Sequence, residues 1–247
     1  MSDFFTRLNQ ATDTERQALL SIPFIQHGVR GELSLRSYTA FLTQAYHHVK
    51  HTTPLLMACG SRIPHSMEWL RDAMAHYIEE EVGHQEWILN DIAACGGDPG
   101  AVRNGSPDMP AELMCAYAYD IVQRRNPVGF LGMVLVLEGT SIRLATEAAT
   151  NIKRSLDLPD RAFTYLTSHG SLDVSHMEFY AGLVNRLDSV EDRRFIIHTA
   201  KRFYRLYGDI FRALPLEMID SSQAARAGRA TTTWAAAAGS QPPWTLQ

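Results

Sequence analysis

The segment HGSLDVSH sets His169, Asp173 and His176 at i, i+4 and i+7, a spacing that lines metal-capable side chains along one helical face. Glu81 and His84 stand three apart in EEEVGH, and Glu138 is alone in the apolar run FLGMVLVLEGT. Three carboxylates and three imidazoles are enough donors for two divalent ions. A set without thiolate suits iron or manganese better than structural zinc. A helix rises about 10.5 Å from the first of these histidines to the last, so it reaches two metals about 3.5 to 4 Å apart.

Glu138 carries the most information. Phe130, Leu131, Met133, Val134, Leu135, Val136 and Leu137 leave that stretch of helix no polar face, and an ionised carboxylate there costs several kcal/mol unless a cation or metal offsets it. A buried salt bridge, to Arg143 or to an arginine elsewhere, is the alternative. Glu81 and His84 have an alternative too, as a solvated pair, and most of the neighbouring Glu79, Glu80 and Glu86 are expected to face water. Two divalent ions against three carboxylates leave the cluster at a net charge of about +1.

These residues need helices to position them, and the 3.6-residue apolar period runs through the chain with almost no alternation of the strand kind. The class is all-α. Helices are predicted from near Asp3 to Ile22, from Ser34 as N-cap to Gly60 with a kink at Pro54, and from Ser66 to a Gly96-Gly97 stop. A fourth covers AELMCAYAYDIVQ, and a fifth starts at Asn126-Pro127. The sixth is predicted from about Pro159 to Arg186 and the seventh from about Val190 to Leu214. Residues 1–216 are read as one helical metal-binding domain, and 217–247, rich in Ala, Thr, Ser and Gly without a periodic face, as a low-complexity tail that is flexible or docks weakly.

Composition narrows the partners. The 247 residues are 45% hydrophobic and carry a net charge of -4, so no basic face draws nucleic acid or an anionic membrane. The N-terminus lacks a signal-peptide pattern, and no run of about 18 apolar residues spans a bilayer, which predicts a cytoplasmic protein. Cys59, Cys95 and Cys115 form neither a disulfide framework nor a thiolate zinc site and are read as buried small hydrophobes. A small-molecule substrate and a homodimer are expected.

Glu-x-x-His, an isolated Glu roughly fifty residues on, then His-x-x-x-Asp-x-x-His about thirty later resembles the heme-oxygenase-like di-iron oxidases and oxygenases, in the TenA/PqqC-like superfamily. The resemblance covers about residues 15 to 214. It implies a seven-helix heme-oxygenase-like (TenA-like) bundle with Glu81, His84, Glu138, His169, Asp173 and His176 as catalytic ligands of two iron ions, the second loosely held. It also implies O2 as co-substrate and oxidation of an amine, amino acid or carboxylate in a biosynthetic route. Glu138 is read as a bridge, Glu81, His84 and His169 as holding the firmer iron, and Asp173 and His176 as completing the weaker one. Gln44, Tyr46, His47, His51, Asp91, Tyr165, His198 and Lys201 are candidates for the surrounding shell or the substrate wall. The alternative is a TenA-like aminopyrimidine hydrolase or a non-redox binding scaffold. The hydrolase needs a cysteine on the fifth helix, which carries Glu138 and no cysteine, and a glutamate near the end of the last, where the next one, Glu217, comes only after Pro215.

Overall fold

The computed structural model describes residues 3–219, without the side chains of Arg143 and of residues 169–175. The tail read over 217–247 therefore lies almost wholly outside the described residues. Among the described residues, twelve α-helices run in the order α1 (Phe4–Ala11), α2 (Asp13–Leu20), α3 (Pro23–Val29), α4 (Leu35–Val49), α5 (Thr52–Arg62), α6 (Glu68–Glu81), α7 (His84–Ala94), α8 (Pro99–Asn104), α9 (Met109–Arg124), α10 (Leu131–Leu156), α11 (Thr164–Asn185) and α12 (Val190–Ala213). The all-α class holds, while several of the seven expected helices are divided. The helix expected over Asp3 to Ile22 breaks at Thr12, whose hydroxyl bonds back to the Leu8 carbonyl at 2.9 Å and so offers the backbone an alternative to continuing. The second divides at Lys50-His51 rather than kinking at Pro54, which falls in the first turn of α5, where its missing N–H costs nothing. The third divides at Val82-Gly83, where Gly83 takes φ +95, a left-handed conformation that favours glycine. At the sixth, Pro159 heads a short 3-10 turn and α11 starts only at Thr164.

Two of the expected starts are present as capped ends. Ser34 accepts from the Ser37 N–H, and Asn126 accepts from the Val128 N–H ahead of the 3-10 turn that leads into α10. Around Glu138, α10 packs against α11 and α12. Val128, Phe130, Leu131, Met133, Leu135 and Val136 are all buried, as the continuous apolar run requires. The halves of this helical stretch, Pro127–Ile142 and Leu144–Leu156, meet at 44°. Gly139 and Thr140 precede the bend, and the Thr140 hydroxyl donates to the Val136 carbonyl at 2.6 Å, an i−4 contact of the kind that curves helices. No single helix among the described residues is long and apolar enough to cross a membrane. After α12 the chain returns to the α3–α4 loop, where Met218 forms an antiparallel bridge with Leu33 and Glu217 pairs with Arg36.

Gly132 sets how closely α10 approaches α12. A Cβ there would lie 2.3 Å from the Thr199 hydroxyl and 2.6 Å from the Ala200 nitrogen. Thr199 is fully buried and donates to the Gly129 carbonyl at 2.8 Å, so it has no slack. Replacing Gly132 with Ala is expected to force the helices apart and cost about 1–3 kcal/mol, read as a lower urea midpoint with an unchanged slope.

Candidate functional site

Glu81 closes α6, Glu138 lies about two turns into α10 and His176 in the middle of α11, and one donor atom from each falls within 4.8 Å of the other two. Glu81 is 7% exposed and His176 3%, and the Glu138 side chain is 11% exposed. His176 Nδ1 stands 3.8 Å from a Glu138 oxygen, and its Nε2 stands 3.0 Å from Glu80. Glu80 is one of the neighbouring acids of which most are expected to face water, and its side chain is 35% exposed. It is the penultimate residue of α6, and one turn of the helix end brings it to the opposite side of the same imidazole.

His84 begins α7, with Nδ1 3.0 Å from Glu81 and its ring stacked on Trp87 at 3.9 Å between centroids. Glu81 and His84 therefore meet across the Gly83 joint and not along one helical turn. Their i, i+3 spacing still brings them together, because the left-handed glycine folds α7 back at that point. His169 and Asp173 are carried by α11, and their side chains lie outside the described residues, as does Arg143, the proposed alternative partner of Glu138.

A chamber of about 70 Å³ opens beside Glu81 and Glu138, with His48, Tyr77, Tyr165 and Tyr207 in its wall. Tyr77 is 1% exposed, and its hydroxyl has no hydrogen-bond partner among the described residues. Burial pushes its phenol well above the usual range, and the charges of Glu138, Glu80 and Glu81 push the same way, so it stays neutral and keeps a proton to donate. Tyr180, wholly buried on α11, is raised first by burial and then by Glu138, but its hydroxyl already donates to the Leu131 carbonyl. Tyr77 was legible in principle, being four residues before Glu81 on the same stripe. His48 was missed for a neighbour: His47 and His51 were chosen, and one residue of helix is about 100° of rotation.

The remaining candidates are placed as follows. Tyr165 lines the chamber. Gln44 accepts from the Asp108 N–H at 2.9 Å and pins the loop before α9. Tyr46 packs on His47 and under the Lys50 ammonium, His47 Nδ1 is 3.3 Å from that ammonium, and His51 is 3.1 Å from the Tyr119 hydroxyl. Burial is the first cause that lowers the pKa of both His47 and His51, followed by the Lys50 charge. His198 stacks on Phe195 beside Arg202, and Lys201 donates to Glu15 at 2.9 Å. None of these last five lines the chamber. Asp91 does something different. Fully buried on α7, it accepts from the backbone N–H groups of Thr164 and Tyr165 at 3.0 and 2.8 Å, so one helix caps the start of the next.

A family model described as iron-containing redox enzyme matches residues 39–208. Among solved structures, the chain is similar to a domain of unknown function with a heme oxygenase-like fold from Shewanella denitrificans OS217, at TM-score 0.77 and 22% identity over 97% of this chain and 98% of that one. It is also similar to a TenA homolog from Pseudomonas syringae pv. tomato, at TM-score 0.72 and 10% identity over 85% and 91%. A third likeness is to heme oxygenase-1 from Synechocystis, solved with heme, at TM-score 0.69 and 10% identity over 97% and 100%. These likenesses establish a heme oxygenase-like, TenA-like fold. No curated protein matches the sequence.

Asp91 gives the site's support a pH signature. Burial raises its carboxyl from 3.8 to about 6, against the opposing pull of its two backbone hydrogen bonds. A folded-state value above the unfolded one means that the native state holds the proton more tightly, so this contribution to stability is complete below about 4 and is lost as pH rises through 6. Replacing Asp91 with Asn is expected to flatten the difference in unfolding free energy between those two pH values. Replacing it with Ala strands two helix N–H groups and is expected to cost about 1–3 kcal/mol, measured by urea unfolding at neutral pH.

Proposed function

Because the chain belongs to the family of iron-containing redox enzymes, we propose that Glu81, Glu138 and His176 form the heart of a non-heme iron site at which O2 oxidises a small organic molecule. The observation that carries this reading is the convergence of a buried carboxylate, a second that is 11% exposed and a buried imidazole from three helices, with ligand atoms within 4.8 Å of one another. Acids gathered this deep repel, and cations of high charge are what such a donor set suits. His84, in contact with Glu81, and the α11 residues His169 and Asp173 complete a set of six donors for two ions. Ferrous iron, when bound, supplies the electrons with which O2 becomes an oxidant of C–H or N–H bonds.

The chain's own residues would do the rest. Glu138, with apolar residues around it on α10, would bridge the ions. Glu80, at the outer nitrogen of His176, would orient that ring in the manner of a carboxylate behind a ligating histidine. Trp87 would hold His84 in its plane. Tyr77 would offer its phenolic proton to an anionic oxygen in the chamber, and Phe130, Met133, Val134 and Leu137 would keep bulk water out. The fold likeness to a TenA homolog supports a second reading, a pyrimidine-directed hydrolase or binder without redox chemistry.

The two readings part in one experiment. Anaerobic titration of the full chain with ferrous iron, followed by elemental analysis and then by O2, is expected to show metal uptake and a transient visible absorption band. Replacing His176 with Ala or Glu138 with Gln is expected to weaken iron binding by at least about a hundredfold, beyond what outer partners of a metal site contribute. Replacing His47, which does not line the chamber, with Ala should leave iron binding intact. A wild-type chain that takes up no iron and gives no band would leave the non-redox reading in place.

A further inference from the structure

A second cavity, of about 90 Å³, adjoins the chamber at the cluster and shares Ser141, Tyr165 and Tyr207 with it. The first chamber follows α10 from Phe130 to Ser141, and the second continues along the same helix from Thr140 to Ile152, past the bend. Their chemistry differs sharply. The first holds Glu81, Glu138 and His48, whereas no charged or imidazole side chain is among the described residues lining the second. Its walls are the rings of Phe24, Phe41 and Phe211 with Leu144, Ala148 and Ile152. Of the hydroxyl-bearing residues in its wall, Tyr38 donates to the Ala162 carbonyl at 2.8 Å, Thr140 to that of Val136 at 2.6 Å and Ser141 to that of Glu138 at 3.5 Å, while Tyr165 and Tyr207 belong to the wall it shares with the first chamber.

Such a space has little to hold water with, although one water needs only about 10–15 Å³ of it. Left empty, it forfeits dispersion contacts along its whole wall, which a protein without a use for it would close by packing. The geometry points to one binding site made of both spaces, for an amphiphilic substrate: a small polar end beside Glu81 and Glu138, and an unbranched apolar chain that passes Ser141 into the second cavity. The inference rests on the iron-site reading and adds the substrate class to it. A carboxylic acid or amine with a hydrocarbon tail fits, whereas an amino acid with a charged side chain would bury that charge among phenyl rings with no partner. The path from Glu138 to Ile152 along α10 is at most about 21 Å, which sets a ceiling on the length of the chain. Small residues on the α10 side, Ser141, Ala145 and Ala148, keep the way open, and Ile152 stands at its far end.

The test is calorimetric titration of the full chain, before and after anaerobic loading with ferrous iron, with straight-chain carboxylic acids from butanoic to hexadecanoic and with the matching primary amines. Binding is expected to tighten about fourfold for each added methylene and then to stop improving at a definite length, with a negative heat-capacity change. Ala148→Phe is expected to move that cut-off to shorter chains and Ile152→Ala to longer ones, with helix content and iron uptake of both variants unchanged. The opposite directions exclude a mere loss of folding as the cause. Binding that does not depend on chain length, or a cut-off that neither variant moves, overturns the proposal even if iron is bound. Length-dependent binding in a chain that takes up no iron overturns the iron-site reading, and with it the polar half of this one.

Discussion

Mutual repulsion between acids held away from water is the constraint around which this fold is organised. Glu81 and Glu138 come from helices far apart in sequence and are brought, with His176, within a few ångströms of one another. Glu81 and Glu80 each lie 3.0 Å from an imidazole, of His84 and His176, and a bound cation would offset the charge of the gathered acids. The two buried tyrosines nearby, Tyr77 and Tyr180, are raised first by burial and then by the charge of Glu138. A scaffold that tolerates this must be stiff enough not to relax it by swinging the side chains outward.

That stiffness has identifiable sources. α10 is apolar on all sides before Glu138, so it cannot rotate without exposing Leu135 or Val136. Its approach to α12 is fixed by the absent side chain of Gly132. Asp91 ties α7, which opens with His84, to the first turn of α11, which bears His176. Two contacts that do not involve the site itself, at Gly132 and at Asp91, thus hold α10 against α12 and α7 against α11. A centre built this way can be emptied or filled with little movement of the backbone.

Much of this was legible in the sequence because it follows from periodicity and from the cost of burial. The all-α class, the caps at Ser34 and Asn126, and the apolar surroundings that leave only 11% of the Glu138 side chain exposed all follow from the types and spacing of residues. Positions that depend on where a helix stops were less legible. Glu81 and His84 read as one helical turn, but the left-handed Gly83 puts a joint between them, and at the same helix end Glu80 reaches His176 while Glu79 faces water. Asp91 shows the other limit: two turns after His84 on about the same stripe, it reads either as orienting a ligand histidine or as capping the packing, and its partners are two backbone N–H groups more than seventy residues on, which no local pattern encodes. His48 and Tyr77 needed the rotation of α4 and α6 about their axes, which pattern alone fixes only to within about one residue.

The antiparallel bridge between Leu33 and Met218 ties the end of the helical body to its beginning. Leu33 lines the apolar cavity, Ser34 receives the Glu217 carbonyl through its N–H, and the Ile219 N–H donates to the Glu32 carbonyl at 3.0 Å. These few residues act as a clasp across the connection that carries one wall of that cavity. Trimming the chain before Glu217 would unfasten it, so an expression boundary drawn at the last turn of α12, where the helical pattern ends, would alter the cavity while leaving every helix whole.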